Sequence, residues 1–356
     1  MKWLSDSTVD HLREAADWPD LGGTRYEVLE RLGRGGMGTV YVASDRLLGR
    51  EVALKVQSVP EPGPEATERM LREARIIARL EHPGIVPVQD VGTLADGRIF
   101  YAMKLVRGRR LDQYTGEGIS LAERLRIFTR ICEPVAFAHA HGVIHRDLKP
   151  ENVMVGSFGE VLVMDWGVAR WRAEAEPPPL APAPTGVAPG PPTGTAHGTI
   201  LGTPGYMAPE QARGEIDRVD ERADVYALGA ILYFLLAERT PRGVAEAASG
   251  ARTWTRPGAG EPLPAVEPPR RQRPDIPRPL EAICLRALAR EPGGRYPKVQ
   301  ELAADVARFL DGAAVTAYPE GPLEKAQRFL ARYRIPILLV LAYLLMRTAL
   351  LFLARR

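Results

Sequence analysis

The period of the hydrophobic pattern changes near Val106 and Gly108, and this change limits the folds open to the chain. Before it, short apolar runs bounded by turn residues predict strands at 26–32, 39–43, 52–56, 86–91 and 99–105, with one helix at about 65–80. After it, long periodic stretches predict helices at 121–141, 225–237, 280–289 and 299–310. A strand-rich first part joined to a helix-rich second part predicts an α+β fold.

Composition narrows the class of protein. Apolar content of 45% with 26% charged residues is ordinary for a globular protein and excludes a wholly disordered chain. A chain of 356 residues is long enough for two domains or for one two-lobed enzyme with tails. Cys132 and Cys284 have no C-x-x-C partner, which favours a reducing, cytosolic setting over a disulfide framework or a zinc finger.

The net charge of +3 is distributed unevenly. Residues 322–356 hold seven Lys and Arg against one Glu, a balance of +6, which leaves −3 for the remainder. The basic character therefore belongs to the C-terminal tail, and we predict no nucleic-acid surface on the main body. Asp6 and Asp10 interrupt the N-terminus before any apolar run long enough for a signal peptide, so the body is predicted to stay in the cytoplasm.

Four glycines, Gly33, Gly35, Gly36 and Gly38, stand between the first two predicted strands. Glycine lets the backbone turn sharply and approach phosphate oxygens where a Cβ would intrude. The G-x-G-x-x-G pattern is weak evidence by itself, because a glycine-rich hairpin produces it as readily. A strand on each side disfavours a dinucleotide site, which requires a helix after the glycines.

Lys55 lies inside the otherwise apolar strand 52–56, where an isolated lysine is as often an edge residue facing solvent. On the following helix, Glu73 shares one stripe with Met70 and Ile77, so it lies on the face predicted to be buried. A desolvated carboxylate requires a partner. We therefore predict that Lys55 pairs with Glu73.

Two segments carry the strongest motifs, H-R-D-L-K-P-E-N at 145–152 and D-W-G at 165–167. Together with the Gly-rich loop, V-A-L-K at 52–55, the helix glutamate and A-P-E at 208–210, they follow the order of the protein kinase motifs. Over about residues 26–312 the chain therefore resembles bacterial eukaryotic-like (Hanks-type) serine/threonine protein kinases.

The resemblance implies a two-lobed protein kinase fold of the α+β class. A small antiparallel-sheet N-lobe with one helix would precede a larger, mostly helical C-lobe. The predicted boundaries are an N-terminal tail at 1–24, the N-lobe at 25–106, the C-lobe at 107–312 with a Pro-rich activation-loop insert at 172–199, a basic juxtamembrane segment at 313–334 and a candidate transmembrane helix at 335–354.

The implied reaction is transfer of the γ-phosphate of ATP to Ser or Thr hydroxyls of protein substrates, with Mg²⁺, or Mn²⁺ as the alternative metal. Asp147 would accept the hydroxyl proton, while Asn152 and Asp165 would supply hard oxygen ligands to the metal. Lys149 would meet the γ-phosphate. In the family this lysine accompanies serine/threonine specificity, as does G-T-P-G-Y at 202–206.

The resemblance also assigns the nucleotide site. Met103 falls at the gatekeeper position, and Lys104 to Val106 form the hinge whose backbone would bind adenine. Asp224 would hold the catalytic-loop backbone, and Arg295 would pair with Glu210. The complete ATP-binding set is Leu32, Gly33, Gly35, Gly36, Gly38, Val40, Ala53, Lys55, Met103, Lys104, Val106, Asn152 and Asp165.

Regulation is predicted at the activation loop. Arg146 precedes Asp147, and in this family such an arginine receives a phosphorylated activation-loop residue. Thr195 and Thr199 lie at suitable distances before A-P-E, so we predict autophosphorylation at one or both. Trp166 stands where Phe is commonest, which changes the packing residue beside the metal-binding aspartate without removing a ligand.

The tail from 335 to 354 gives 20 residues, or ~30 Å as a helix, about one hydrocarbon thickness. Arg347 interrupts it near one end, where the side chain can snorkel. We favour a single membrane-spanning tail over an amphipathic helix on a surface or partner. The excess of basic residues before it places the kinase domain in the cytoplasm, and a cytoplasmic or peripheral protein is the alternative.

A pseudokinase that senses nucleotide and binds partners without transferring phosphate is the rival hypothesis. Its distinguishing feature would be a missing catalytic group. All five are present: Lys55, Glu73, Asp147, Asn152 and Asp165. The sequence therefore favours an active enzyme.

Overall fold

The structure, a computed structural model, describes residues 18–35, 38–58, 63–114, 118–171, 205–241 and 266–353. The first part is an antiparallel sheet with spatial order β1-β2-β3-β5-β4. Its strands are β1 (Tyr26–Arg34), β2 (Thr39–Asp45), β3 (Arg50–Val56), β4 (Val88–Thr93) and β5 (Ile99–Lys104). One helix, α1 (Pro64–Arg79), follows β3 and packs on β4 and β5.

Alternation along the central strands gives this sheet two different faces. Tyr41 and Leu54 are cross-strand partners on β2 and β3, and they join a buried apolar cluster that covers one face. One residue along in each strand, Val40, Lys55 and Tyr101 are partners across β2, β3 and β5 on the opposite face. The register therefore places Lys55 on the same side of the sheet as α1.

Helix α1 begins with Pro64 in its first turn and carries Glu65 there, where the helix dipole favours a carboxylate. Met70 and Ala74 bury against Ile99 and Tyr101 of β5. Because they share a stripe with Glu73, this packing carries that carboxylate into the interior.

The second part contains most of the helices and several short strands. The helices are α2 (Leu111–Tyr114), α3 (Leu121–Ala140), α4 (Pro209–Ala212), α5 (Glu221–Ala237), α6 (Pro269–Gln272), α7 (Arg278–Ala287), α8 (Val299–Leu310), α9 (Pro322–Arg332) and α10 (Arg334–Leu353). The strands are β6 (Gly108–Arg110), β7 (Val143–Ile144), β8 (Val153–Gly156), β9 (Val161–Val163) and β10 (Arg170–Trp171). The order β6-β8-β9 forms one small sheet, and β7 pairs with β10.

The core of the second part is built around α5, which is apolar and buried almost all round. Helices α3, α7 and α8 surround it. At Gly229 a Cβ would lie 2.7 Å from the Cβ of Ala287, so glycine is required where α5 and α7 approach most closely. This packed body supports the loops that follow β7 and β9.

Every predicted strand and helix is present, and the α+β, two-part architecture is confirmed. The largest shift is the start of α5, which begins at Glu221 rather than at residue 225 because the Asp220 side chain caps it by accepting a hydrogen bond from Arg222 N. The lobe boundaries stay a prediction, as does the insert at 172–199, which lies outside the described residues.

The C-terminal tail is helical. Within the described residues, no single helix has both the length and the apolar character needed to cross a membrane. Taken as a pair, Pro322–Leu330 and Ile335–Leu351 meet those requirements across a bend of 72°.

Candidate active site

The predicted contact between Lys55 and Glu73 is confirmed. Lys55 Nζ lies 2.8 Å from both carboxylate oxygens of Glu73. The Glu73 side chain is 1% exposed and that of Lys55 11% exposed, so the lysine is the more accessible partner. The pair joins β3 to α1 beneath the sheet.

Tyr101 completes this pair and was not predicted. Its hydroxyl donates a hydrogen bond of 3.0 Å to Glu73 Oε1. Burial raises the pKa of Tyr101 well above its ordinary value, and the negative charge of Glu73 adds to the shift. The hydroxyl therefore remains a donor. The position of Tyr101 opposite Lys55 in the β3–β5 register is the signal that identifies it.

Asp165 connects the sheet to the second part. Its Oδ1 lies 3.9 Å from Lys55 Nζ, and its side chain is 52% exposed toward the cleft. The backbone at Asp165 has a φ of 59°, a conformation rare for a residue other than glycine. The next residue, Trp166, is anchored by its buried ring, whose centroid lies 4.5 Å from that of the His145 ring. The carboxylate of Asp165 is left facing outward.

The loop after β7 gathers the other predicted catalytic groups. Lys149 Nζ donates to Asp147 Oδ2 over 2.8 Å. Asn152 Nδ2 donates to the backbone oxygen of Asp147 at 2.9 Å and to its Oδ2 at 3.3 Å. Asp147, Lys149 and Asn152 thus form one hydrogen-bonded group on the second part, and Met164 N donates to Asn152 O over 2.8 Å, which connects the group to the residue before Asp165.

Asp224 of α5 holds this loop, as predicted. Its two oxygens accept hydrogen bonds of 2.8 Å from the backbone N–H groups of His145 and Arg146. His139 Nε2 donates to Asp224 Oδ2 over 2.7 Å. Burial raises the pKa of Asp224, but the hydrogen bond from His139, the electrostatic contributions of His139 and His145 and the hydrogen bond from the Arg146 backbone together lower it below its ordinary value. The His139 contact was not predicted from the sequence.

Arg146 is the predicted phosphate receiver. It has a φ of 71°, and Gln211 Nε2 donates to its backbone oxygen over 2.9 Å. Burial, followed by the nearby positive charge of Arg170, lowers the pKa of Arg146 to about 10. The two arginines together make an electropositive site beside the catalytic loop. Thr195 and Thr199 lie outside the described residues.

The Gly-rich turn is described except for Gly36 and Met37. Gly35 N donates to Gly38 O over 2.8 Å, which closes a tight turn after β1. A Cβ on Gly38 would lie 2.5 Å from the backbone oxygen of Val56, so this glycine is required by the neighbouring strand. Leu32 and Gly33 lie in the last three residues of β1, just before the same turn.

The other predicted ATP-binding residues lie on three neighbouring strands and in the connection that follows them. Ala53 of β3 is opposite Met103 of β5, and Val40 of β2 is opposite Lys55 one step along. Lys104 ends β5, and Val106 lies in the connection that leads into the second part. Through these registers Val40, Ala53 and Met103 share the face of the sheet that carries Lys55.

The pair between Glu210 and Arg295 is also confirmed. Arg295 donates to the two Glu210 oxygens at 2.7 and 2.8 Å. Its remaining donors bond the backbone oxygens of Arg222, Ala289 and Arg290. This pair ties α4, at the end of the A-P-E motif, to the segment between α7 and α8.

The described residues contain no cluster of three or more His, Cys, Asp or Glu side chains that would hold a metal ion without other ligands. Asp165 and Asn152 offer two hard oxygen atoms in the cleft. Mg²⁺ is commonly held by one or two carboxylate-type ligands together with phosphate oxygens and water. The donor set therefore fits a metal that arrives with a nucleotide.

Residues 26–292 match the protein kinase domain family. The serine/threonine-protein kinase PknD of Protochlamydia amoebophila is 34% identical over 305 residues, covering 81% of this chain and 30% of that protein. PknD of Chlamydia caviae is 36% identical over 331 residues, covering 88% and 34%. The chain thus spans about a third of the length of these relatives.

A solved structure agrees with the sequence relatives. The Mycobacterium tuberculosis PknI kinase domain superposes with a TM-score of 0.57 at 28% identity. The match covers 81% of this chain and 96% of that domain.

Proposed function

The chain belongs to the protein kinase family, and from that premise we propose that it is an ATP-dependent serine/threonine protein kinase. One observation carries the proposal. Lys55 is bound to Glu73 at 2.8 Å and lies 3.9 Å from Asp165, so a cation from the sheet and a carboxylate from the second part meet across one cleft. Phosphoryl transfer depends mainly on such positioning and charge neutralisation.

Asp147 is proposed to orient the substrate hydroxyl and accept its proton. Its carboxylate is held by Lys149 and Asn152, at 2.8 and 3.3 Å, which fixes its direction before substrate arrives. Lys149 Nζ lies 2.8 Å from the Asp147 carboxylate, and we propose that it neutralises charge that develops on the transferred phosphoryl group. The relatives named as serine/threonine kinases and the presence of Lys149 support Ser and Thr as acceptors.

The nucleotide is proposed to lie between the Gly-rich turn and the hinge. Lys55, held by Glu73, would contact its phosphates, and the Lys104 to Val106 backbone would bind adenine. Asn152 and Asp165 would hold Mg²⁺, which supplies positive charge to the phosphate oxygens when bound. Donation from Asn152 Nδ2 to Asp147 O turns the amide oxygen away from that contact and leaves it directed as a ligand.

A transfer assay with Asp147→Asn tests the proposal. We expect radiolabel transfer from ATP to a Ser- and Thr-containing protein to fall by about 10²–10⁴-fold, because the amide cannot accept the proton. Asp217→Asn, on an exposed turn, is the matched control and should keep full activity. Equal labelling by the wild type and Asp147→Asn, or label found on tyrosine, would contradict the proposal.

We further propose autophosphorylation at Thr195 or Thr199. A phosphate there would carry about two negative charges and could bind the electropositive site formed by Arg146 and Arg170. Mass spectrometry of protein incubated with ATP should find phosphate between residues 185 and 203. Asp147→Asn should lack it, and active protein without phosphate in that segment would disprove this part.

Membrane tethering through the C-terminal tail is the third part of the proposal. The apolar side chains of α10 are exposed, including Leu338 at 63% and Leu345 at 70%. A lipid environment would remove this surface from water, with the catalytic cleft in the cytoplasm. Cells fractionated without detergent should retain the chain with membranes, and recovery in the soluble fraction would favour the cytoplasmic or peripheral alternative.

A further inference from the structure

Helix α9 is amphipathic, and Glu324 and Arg328 on its polar side contact residues 318–321, the segment that leads into the helix. Glu324 accepts hydrogen bonds from Tyr318 OH at 2.7 Å and from Gly321 N at 3.0 Å. Arg328 binds both carboxylate oxygens of Glu320 at 3.0 Å. A helix on the surface of a globular protein normally packs its apolar stripe inward. In α9 the large apolar side chains are exposed instead.

The outward face of α9 is apolar. Its large side chains are exposed: Leu323 at 72%, Phe329 at 59%, Leu330 at 55% and, just after the helix, Tyr333 at 42%. At about 100° per residue these positions fall within a single arc, with Ala326 at its centre. An arc of this kind on a soluble surface marks an interaction site.

The connection into α9 is fixed to the second part by a buried carboxylate. Asp305 of α8 accepts hydrogen bonds from Thr316 N at 2.8 Å, Thr316 Oγ1 at 2.6 Å and Ala317 N at 3.1 Å. Tyr296 OH donates to the same carboxylate over 2.8 Å. Val315 is buried beside this network. The segment that leads into α9 is therefore attached to the folded second part.

Two observations identify the surface that covers this arc. The arc continues directly into the exposed apolar helix α10, across the bend of 72°. Residues 322–334 also carry four basic residues against one acidic residue. An apolar arc combined with basic residues is the pattern of a helix that lies in the plane of a membrane interface, where anionic headgroups attract the cations.

We propose that α9 lies in the plane of an anionic lipid surface, with Leu323, Phe329 and Leu330 at the boundary between headgroups and acyl chains. This proposal rests on the proposed tethering and adds to it a restricted orientation. Because Asp305 holds residues 316 and 317, and Glu320 in turn holds Arg328 of α9, the lipid contact would restrict the angle between the folded second part and the bilayer.

Single introduced thiols in the full-length chain test the proposal. The two native thiols, Cys132 and Cys284, are buried and remain unlabelled in the folded protein. Ala326→Cys reports the centre of the apolar arc without removing a proposed contact, and Gln327→Cys, about 100° around the helix, is the matched control. Leu345→Cys reports insertion of α10. Each variant carries an environment-sensitive fluorophore in vesicles of phosphatidylcholine and phosphatidylglycerol.

We expect the probe at 326 to shift to the blue and to lose quenching by aqueous iodide, while the probe at 327 stays accessible to iodide. In vesicles of phosphatidylcholine alone, the shift at 326 should shrink. If the probe at 345 is shielded from iodide but the probe at 326 is as accessible as the probe at 327, the in-plane helix is disproved and the tethering stands.

Two other outcomes also overturn the proposal. If 326 and 345 are both accessible to iodide, the tethering fails and the in-plane helix fails with it. If 326 is shielded in lipid nanodiscs that hold two chains and accessible in those that hold one, a second copy covers the arc instead of lipid.

Discussion

Two buried ion pairs with nearly the same geometry lie on opposite sides of the cleft. Lys55 and Glu73 join β3 to α1, with both N–O distances at 2.8 Å. Arg295 and Glu210 join the segment after α7 to α4, with N–O distances of 2.7 and 2.8 Å. Both carboxylates are almost fully withdrawn from water. Distance alone does not separate the two pairs.

Their surroundings do separate them. The Arg295 side chain is 0% exposed, and in addition to Glu210 its N–H groups bond three backbone oxygens. Lys55 retains 11% exposure, and the half-exposed Asp165 lies 3.9 Å from its Nζ. A cation whose donors are all bonded to protein acceptors contributes to structure. A cation at the edge of a cleft can still bind a phosphate. From this difference we expect the Arg295 pair to contribute mainly to stability and the Lys55 pair to contribute to the proposed nucleotide binding.

Removing the charge of Glu210 should have the largest effect. In Glu210→Gln the Arg295 guanidinium stays buried without a counter-charge, and we expect the free energy of unfolding to fall by about 3–5 kcal/mol. Urea denaturation measures it. Glu73→Gln is the matched change and should cost less, because Lys55 reaches solvent. Equal losses in the two variants would remove the distinction between the pairs.

Lys55→Met should give the next largest effect, on activity. Loss of one cation aimed at the phosphates should lower kcat/KM by about 10²–10³-fold, comparable to removing one donor from a preorganised site. Steady-state kinetics with varied ATP measure the change, and circular dichroism checks the fold. Full activity in this variant would mean that Lys55 serves only the fold, as Arg295 is expected to do.

The sequence predicted these pairs by two different routes. For Glu73 the helical stripe with Met70 and Ile77 was enough, because a buried carboxylate next to an apolar strand with one lysine leaves few alternatives. Glu210 and Arg295 are 85 residues apart, and no local pattern brings them together. Only the resemblance to a family supplied that contact.

Other contacts were missed because periodicity gives the face of an element and not its neighbour. Tyr101 contacts Glu73 through the β3–β5 register, and His139 contacts Asp224 through the packing of α3 on α5. The strands β6 to β10 have two to four residues each, too few for a repeating pattern. The position of the segment before α9 depends on how Asp305 holds residues 316 and 317, which no pattern within α9 encodes.

Tyr101→Phe sharpens the comparison at the scale of one hydrogen bond. The change removes the donor to Glu73 Oε1, and we expect a loss of about 1.5–3 kcal/mol in the free energy of unfolding, as for hydrogen bonds to charged groups. Tyr233→Phe is the control, because the buried Tyr233 hydroxyl has no hydrogen-bond partner among the described residues. Urea denaturation should find the control near neutral, and a comparable loss there would assign the effect to the packing of a buried hydroxyl group rather than to its hydrogen bond.

The smallest effect is expected at an exposed pair of the same length. Arg46 and Glu27 approach to 2.8 Å, but their side chains are 64% and 52% exposed. Glu27→Gln should change the free energy of unfolding by about 0.2–1 kcal/mol, because water and salt screen the attraction and both side chains lose rotamer freedom. Urea denaturation should show a small difference between variant and wild type at low salt, and this difference should approach zero at high salt. If Glu27→Gln instead costs as much as Glu210→Gln, burial is not what separates ion pairs of equal length in this protein.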